Sequence, residues 1–255
     1  MNPLKQRLAK GELITAAWAE MGSADSAELM VYAGFDTIVI DGEHGIGYLD
    51  QWMHMARAVE AAGGNHILRL PSGDPTLIKR VLDHGFRSLI IPMVNTVEEA
   101  RVILDAAIYP GHGGGRGYGS PLGRTTKYSI NENYLAESRD DLFLMLQCEH
   151  HIAVDNLKDI AALDGVDMIF VGPNDLAGSI GYLRRLGEKP VQDLLERIET
   201  TARENNIALA SITGARGNWA ECRDKGYRLL AGPADVLELV NAIRKAAAER
   251  DAQLA

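Results

Sequence analysis

The stretch LFLMLQCEHHIAVDNLKDIAALDGVDMIFVGPNDL, residues 142–176, carries the unit from which the fold is read. Its two apolar runs, 142–146 and 168–171, are short, continuous and bounded by polar residues, as strands buried on both faces are. The segment between them has a helical pattern, so the stretch reads as strand, helix, parallel strand. Parallel neighbours point the same way, so Glu149 and Asp175, each just past its run, emerge side by side at one sheet edge. Two carboxylates converging there can hold a divalent metal.

The alternation continues in both directions. Strand-like runs fall at 13–19, 37–40, 66–70, 88–92, 142–147, 168–171, 207–212 and 228–231. Helical patterns fall at 26–33, 49–62, 75–83, 96–107, 131–139, 153–162, 191–204, 218–224 and 234–250. Ser23 or Asp25 can cap the first of these, and Pro75 can open the third, where a missing N–H costs nothing. Eight strand–helix units in about 250 residues predict an α/β protein with a single (β/α)8 TIM barrel domain over the whole chain. A doubly wound open sheet is the competitor, because periodicity gives the order of elements and not closure. The run GGGRGYG at 113–119 is not a dinucleotide fingerprint, since it follows a helix and opens none. It lies in a segment with seven glycines and two prolines between Tyr109 and Tyr128, which predicts a functional loop.

With 46% hydrophobic and 24% charged residues, the composition is that of a globular chain with a large core. No apolar run reaches membrane-span length, the N-terminus lacks a signal-peptide pattern, and Cys148 and Cys222 are too few for a disulfide framework. A soluble cytoplasmic protein is expected. The net charge of −9 argues against nucleic-acid binding, so an anionic substrate must meet a local positive site.

In a parallel barrel the chemistry gathers past the C-terminal strand ends. There the chain places Asp41, Glu43 and His44, then Arg69, then Gln147 and Glu149, then Asp175. Asp175 could simply cap a helix, but matching positions in adjacent units favour metal ligation with Glu149. Two protein oxygens suit a hard cation that keeps sites for water and substrate. Zinc ligation by the Glu-His-His run is less favoured, because consecutive strand residues face opposite ways. Gly172, Pro173 and Asn174 open a turn whose free amides could take a carboxylate, or be a plain tight turn. His44 is either a satisfied buried histidine or a general base oriented by a carboxylate. Arg69 either pairs structurally with Asp41 or Glu43, or polarises a keto oxygen and stabilises an enolate. The eight lysines, Lys5, Lys10, Lys79, Lys127, Lys158, Lys189, Lys225 and Lys245, all fall outside the strands, which disfavours a Schiff base.

Taken together, DGEHG (41–45), LRLP (68–71), IKRVLDHG (78–85), IPMVNT (91–96), RGYG (116–119), LQCEH (146–150) and GPNDL (172–176) resemble the HpcH/HpaI family of class II pyruvate aldolases, over residues 3–248. The resemblance implies a (β/α)8 barrel and a divalent metal (Mg2+, Mn2+ or Co2+). It implies a homo-hexamer built as a dimer of trimers, with the last helix packed on a neighbouring subunit. It implies Glu149 and Asp175 as metal ligands, His44 as base, and Arg69 on the keto oxygen. Asp83 would pair with the histidine of a neighbouring subunit, and Gln147, Trp18 and Ser120 would line the substrate. Two departures bear on the aldehyde half: His150 stands where the family usually has Ser or Thr, and the seventh strand ends in SITGARG.

The expected activity is reversible cleavage of a 4-hydroxy-2-keto acid to pyruvate and an aldehyde through a metal-held enolate. Related barrel lyases acting on acyl-CoA thioesters, or an oxaloacetate decarboxylase, are the rival enzymes. A CoA enzyme needs a basic patch, for which only Arg116, Arg124 and Lys127 are available. A non-catalytic 2-keto acid binding protein is the rival of another class; it would need no base.

Overall fold

The computed structural model describes residues 1–119 and 122–255. Its strands are β1 (Ile14–Ala19), β2 (Thr37–Asp41), β3 (Asn65–Arg69), β4 (Ser88–Ile91), β5 (Phe143–Cys148), β6 (Met168–Val171), β7 (Leu209–Ile212) and β8 (Tyr227–Ala234). All pair in parallel in sequence order, and β8 returns to β1, so the sheet is a closed barrel and not an open doubly wound one. The helices are α1 (Pro3–Ala9), α2 (Ala24–Tyr32), α3 (Leu49–Ala61), α4 (Pro75–Asp83), α5 (Val97–Ala107), α6 (Tyr134–Asp141), α7 (His151–Ala161), α8 (Pro173–Ser179), α9 (Lys189–Glu204), α10 (Trp219–Asp224) and α11 (Asp235–Leu254).

Side chains alternate across each strand. Val39, Ile67, Phe143, Met145 and Phe170 fill the lumen, whereas Ile38, Ile40, Leu68, Leu144 and Ile169 pack outward against the helices. That period of two puts Asp41, Arg69 and Gln147 on the lumen side at the C-terminal mouth. Helix α1, which the periodicity did not predict, closes the other end. Asn2 caps it by accepting the Leu4 amide (2.9 Å) and donates to Ser88 Oγ (2.9 Å), and Leu4 joins the lumen cluster.

Helix starts follow the expected chemistry. Ser23 accepts the Ser26 amide (3.2 Å), and Asp74 caps the helix that Pro75 opens by accepting the Leu77 amide (2.7 Å). Thr96 and Glu99 form a reciprocal capping box. Between Tyr109 and Tyr128 the described residues include two single turns of 3-10 helix, Pro110–His112 and Arg124–Thr126, and no α-helix or strand. Helix α11 leaves Leu237, Leu239 and Ile243 exposed.

Candidate active site

Asp41 ends β2 with its side chain in the mouth, 1% exposed. Its Oδ1 accepts the Glu43 amide (3.0 Å), the His44 amide (3.2 Å) and Arg69 Nε (2.9 Å), and its Oδ2 accepts Arg69 Nη2 (2.6 Å). Burial pushes the Asp41 carboxyl up, but Arg69 and the two amides outweigh it and hold the group below the ordinary carboxylate range. The pair therefore stays ionised although it is desolvated.

Arg69 ends β3 directly beside Asp41 in register. Its remaining nitrogen, Nη1, lies 3.3 Å from Glu43 Oε2, and the guanidinium stands 4.5 Å from the centre of the Trp18 ring. The ion pair weighed as a structural alternative is thus present, with both acids that were named. It does not remove Arg69 from the mouth; it fixes the plane of the guanidinium there. Burial acts against the charged arginine, but Asp41, Glu43 and Glu149 together raise its affinity for the proton.

His44 is exposed, so it is not a satisfied core histidine, and its Nε2 lies 3.9 Å from Glu43 Oε2. Burial raises the Glu43 carboxyl; Arg69 and His44 pull it down, while Asp41 and Asp175 add to the rise.

Glu149 follows β5 and is 1% exposed. Its Oε1 accepts the Met93 amide (2.7 Å), and its Oε2 accepts from Gln147 Nε2. Burial holds this carboxyl up at about 7 despite those two donors, with Glu43 and Asp175 adding to the rise. Gly172 makes this approach possible: a Cβ there would stand 2.5 Å from Glu149 Oε2 and 2.8 Å from its Cβ. Asp175 sits exposed in the first turn of α8, with no hydrogen bond or ion pair among the described residues. Gly172, not Asp175, is the N-cap residue, so Asp175 makes no side-chain cap, and what is left of the capping alternative is its negative charge in the first turn of α8.

Glu149, Asp175 and the Gln147 Oε1, which is buried with no hydrogen-bond partner, make an oxygen-rich corner that could hold a hard cation. Among the described residues, no group of three or more His, Cys, Asp or Glu is gathered for a metal. The two histidines of the Glu-His-His run serve local structure instead. His150 Nδ1 caps α7 by accepting the Ile152 amide (3.3 Å), and the His151 amide donates to Ser179 Oγ (3.1 Å).

The sequence reading missed three contributors. Glu20, just past β1, is raised by burial and by Asp41 and Asp235, and the rule of collecting polar residues after strands would have found it. Asp235, at the start of α11, accepts the Glu20 amide (2.9 Å), the Met21 amide (3.3 Å) and Ser26 Oγ (2.9 Å), tying β1 to the last helix. The Met93 amide has no side-chain signature at all. Asp83 is not at this mouth in the chain itself: it ends α4, at the opposite end of the barrel, and accepts from Arg116 Nη2 (2.6 Å). Ser120 lies outside the described residues.

The lysines all lie on helices, at their ends or in loops, and none is buried. The family model for HpcH/HpaI aldolase/citrate lyase matches residues 15–242. A hydroxypyruvate/pyruvate aldolase of Cupriavidus necator is 37% identical over 247 residues, 97% of this chain and 91% of that protein. A 2-keto-3-deoxy-L-rhamnonate aldolase of Escherichia coli K12 is 35% identical over 236 residues, 92% of this chain and 88% of that protein. The crystal structure of an HpcH/HpaI aldolase/citrate lyase family protein from Burkholderia cenocepacia superposes with a TM-score of 0.90 at 31% identity, covering 98% of this chain and 100% of that one. With the strand-end carboxylates, the arginine and the closed barrel in place, the chain belongs to the HpcH/HpaI aldolase/citrate lyase family and is a carbon–carbon lyase.

Proposed function

We propose that the chain catalyses reversible aldol cleavage of a 4-hydroxy-2-keto acid to pyruvate and an aldehyde. The observation that carries this reading is the juxtaposition of Arg69, locked in plane by Asp41, with the Glu149 and Asp175 carboxylates at a mouth that no lysine enters. Without a lysine there is no imine route, so the electrons of the breaking bond must be accommodated electrostatically. The two related aldolases support the same reaction class.

A divalent cation fits this corner, because burial and neighbouring carboxylates already raise Glu149 and an orphaned amide oxygen faces no donor. Glu149 and Asp175 would hold Mg2+, Mn2+ or Co2+, which when bound supplies Lewis-acid polarisation of the 2-keto acid. Arg69 faces the keto oxygen and takes up the negative charge that develops as the C3–C4 bond breaks. His44, exposed at the rim and 3.9 Å from Glu43, removes the 4-hydroxyl proton through water, so that C4 leaves as the aldehyde. The C3–C4 electron pair passes to the enolate, and protonation at C3 gives pyruvate. Trp18 walls the site beneath Arg69, and the amides of Asn174 and Asp175 in the first turn of α8 receive the substrate carboxylate.

Two of the three basic groups a CoA nucleotide would need are engaged elsewhere, Arg116 with Asp83 and Arg124 with Glu60. The exposed leucines of α11 support association of copies through that helix, in keeping with a hexamer to which Asp83 of one copy lends its carboxylate to the site of another. The test is direct: with Mg2+ or Mn2+, the protein should release pyruvate from 4-hydroxy-2-keto acids and exchange the methyl protons of pyruvate with D2O. Loss of both activities would overturn the assignment, and binding of pyruvate without exchange would make it a binding protein.

A further inference from the structure

The turn after β4 adopts a backbone conformation that its residue disfavours, and it ends on Glu149. Met93 has φ of +55°, in the left-handed region where a Cβ meets the backbone. Such strain persists only where the surroundings over-determine it. Here Met93 N–H donates to Glu149 Oε1 (2.7 Å), Val94 N–H to the Gln147 carbonyl (3.3 Å), and Asn95 Nδ2 to the Met93 carbonyl (3.3 Å). Asn156 Nδ2 donates to the Asn95 carbonyl (2.9 Å), and the Asn95 and Thr96 amides both donate to Glu99 Oε2 (2.7 and 3.0 Å). In extended chain successive N–H groups point to opposite sides; a left-handed residue lets neighbouring amides converge. The Met93 side chain is 48% exposed, so core packing does not choose this conformation.

We propose that the left-handed turn at Met93 is a positioning device, in which two successive amides clamp the end of β5 and Met93 N–H fixes the orientation of the Glu149 carboxylate. Gln147 holds the other oxygen, so the group presents one face to the mouth. Met93 acts through its backbone, and its side chain is interchangeable with any that tolerates positive φ. The clamp itself stands on the geometry; only its consequence for metal affinity rests on the function proposed above.

Two measurements test it. In metal-free protein, hydrogen exchange of the 92–96 segment should be about tenfold slower in wild type than in Glu149→Ala, the loss of one charge-assisted bond. Mn2+ affinity, read by the electron paramagnetic resonance of free ion, should stay within about threefold of wild type in Met93→Asn, which tolerates the left-handed region. It should fall about tenfold or more in Met93→Val, whose β-branch does not, with kcat/KM falling in parallel while circular dichroism shows both variants folded. Unchanged exchange in Glu149→Ala would overturn the clamp. So would wild-type affinity in folded Met93→Val, or an equal loss in Met93→Asn. Wild type that binds no Mn2+ would sink the metal reading, and the exchange arm would still decide the clamp.

Discussion

Asp41→Asn is the substitution that most directly probes how Arg69 is held. It conserves volume and removes one charge from a carboxylate that accepts four hydrogen bonds, two of them from Arg69 at 2.9 and 2.6 Å. The Arg69 side chain is 11% exposed, so it cannot recover its hydration when its partner is lost. Breaking one side of a buried ion pair costs about 3–5 kcal/mol. Glu43 remains 3.3 Å away and retains part of the interaction. The low end, about 3 kcal/mol, is therefore expected, or roughly 6–12 °C in melting temperature for a chain of this size. Because the freed guanidinium no longer faces a fixed point, kcat/KM should drop about a hundredfold, the scale of losing one preorganised donor. Thermal melts and initial rates of pyruvate release for Asp41→Asn, Arg69→Met and the double variant give the coupling, expected at about 2 kcal/mol or more. A variant that melts within about 2 °C of wild type and keeps half its activity, or an additive cycle, would refute the argument.

Arg69→Ala should lower turnover by about two to three orders of magnitude while Mn2+ still binds, since the arginine is not a ligand; loss of the ion would show that it organises the metal corner instead. His150→Ala should cost about 0.5–1 kcal/mol by removing the cap of α7, and His150→Asn should restore it, as urea unfolding will show. For Glu60, burial is outweighed by His66 and Arg124, which hold the carboxyl at about 2 instead of 4.5. A depressed carboxyl stabilises the fold above pH 4.5, and the contribution disappears as pH falls from there through about 2. Glu60→Gln should therefore melt below wild type above pH 4.5, by the equivalent of at most about 1 kcal/mol because the pair is partly solvated, and converge with it in acid. A difference that grows on acidification would contradict this.

Much of the molecule was legible without coordinates because its elements are marked locally. Buried parallel strands are continuous apolar runs, and Ser23 and Pro75 each announce a helix, one by the amide it caps and the other by the N–H it lacks. Glu149, Asp175, His44 and Arg69 could be named because position relative to a strand end is a property of order along the chain. Closure was not so marked: it depends on β8 meeting β1, residues some 200 positions apart, through a tilt and register that no local pattern encodes. Helix α1 was missed because its worth lies in contacts far along the chain, Leu4 in the floor of the barrel and Asn2 on Ser88. Asp41 and Glu43 were both legible as partners of Arg69, and the structure shows that it takes both; tertiary structure alone turned His150 into a cap and aimed the Met93 amide at Glu149. Sequence determined which groups reach the mouth, since strand order and a period of two are local rules; only the closed barrel decided their orientation, because hydrogen bonds across it join residues from separate strands.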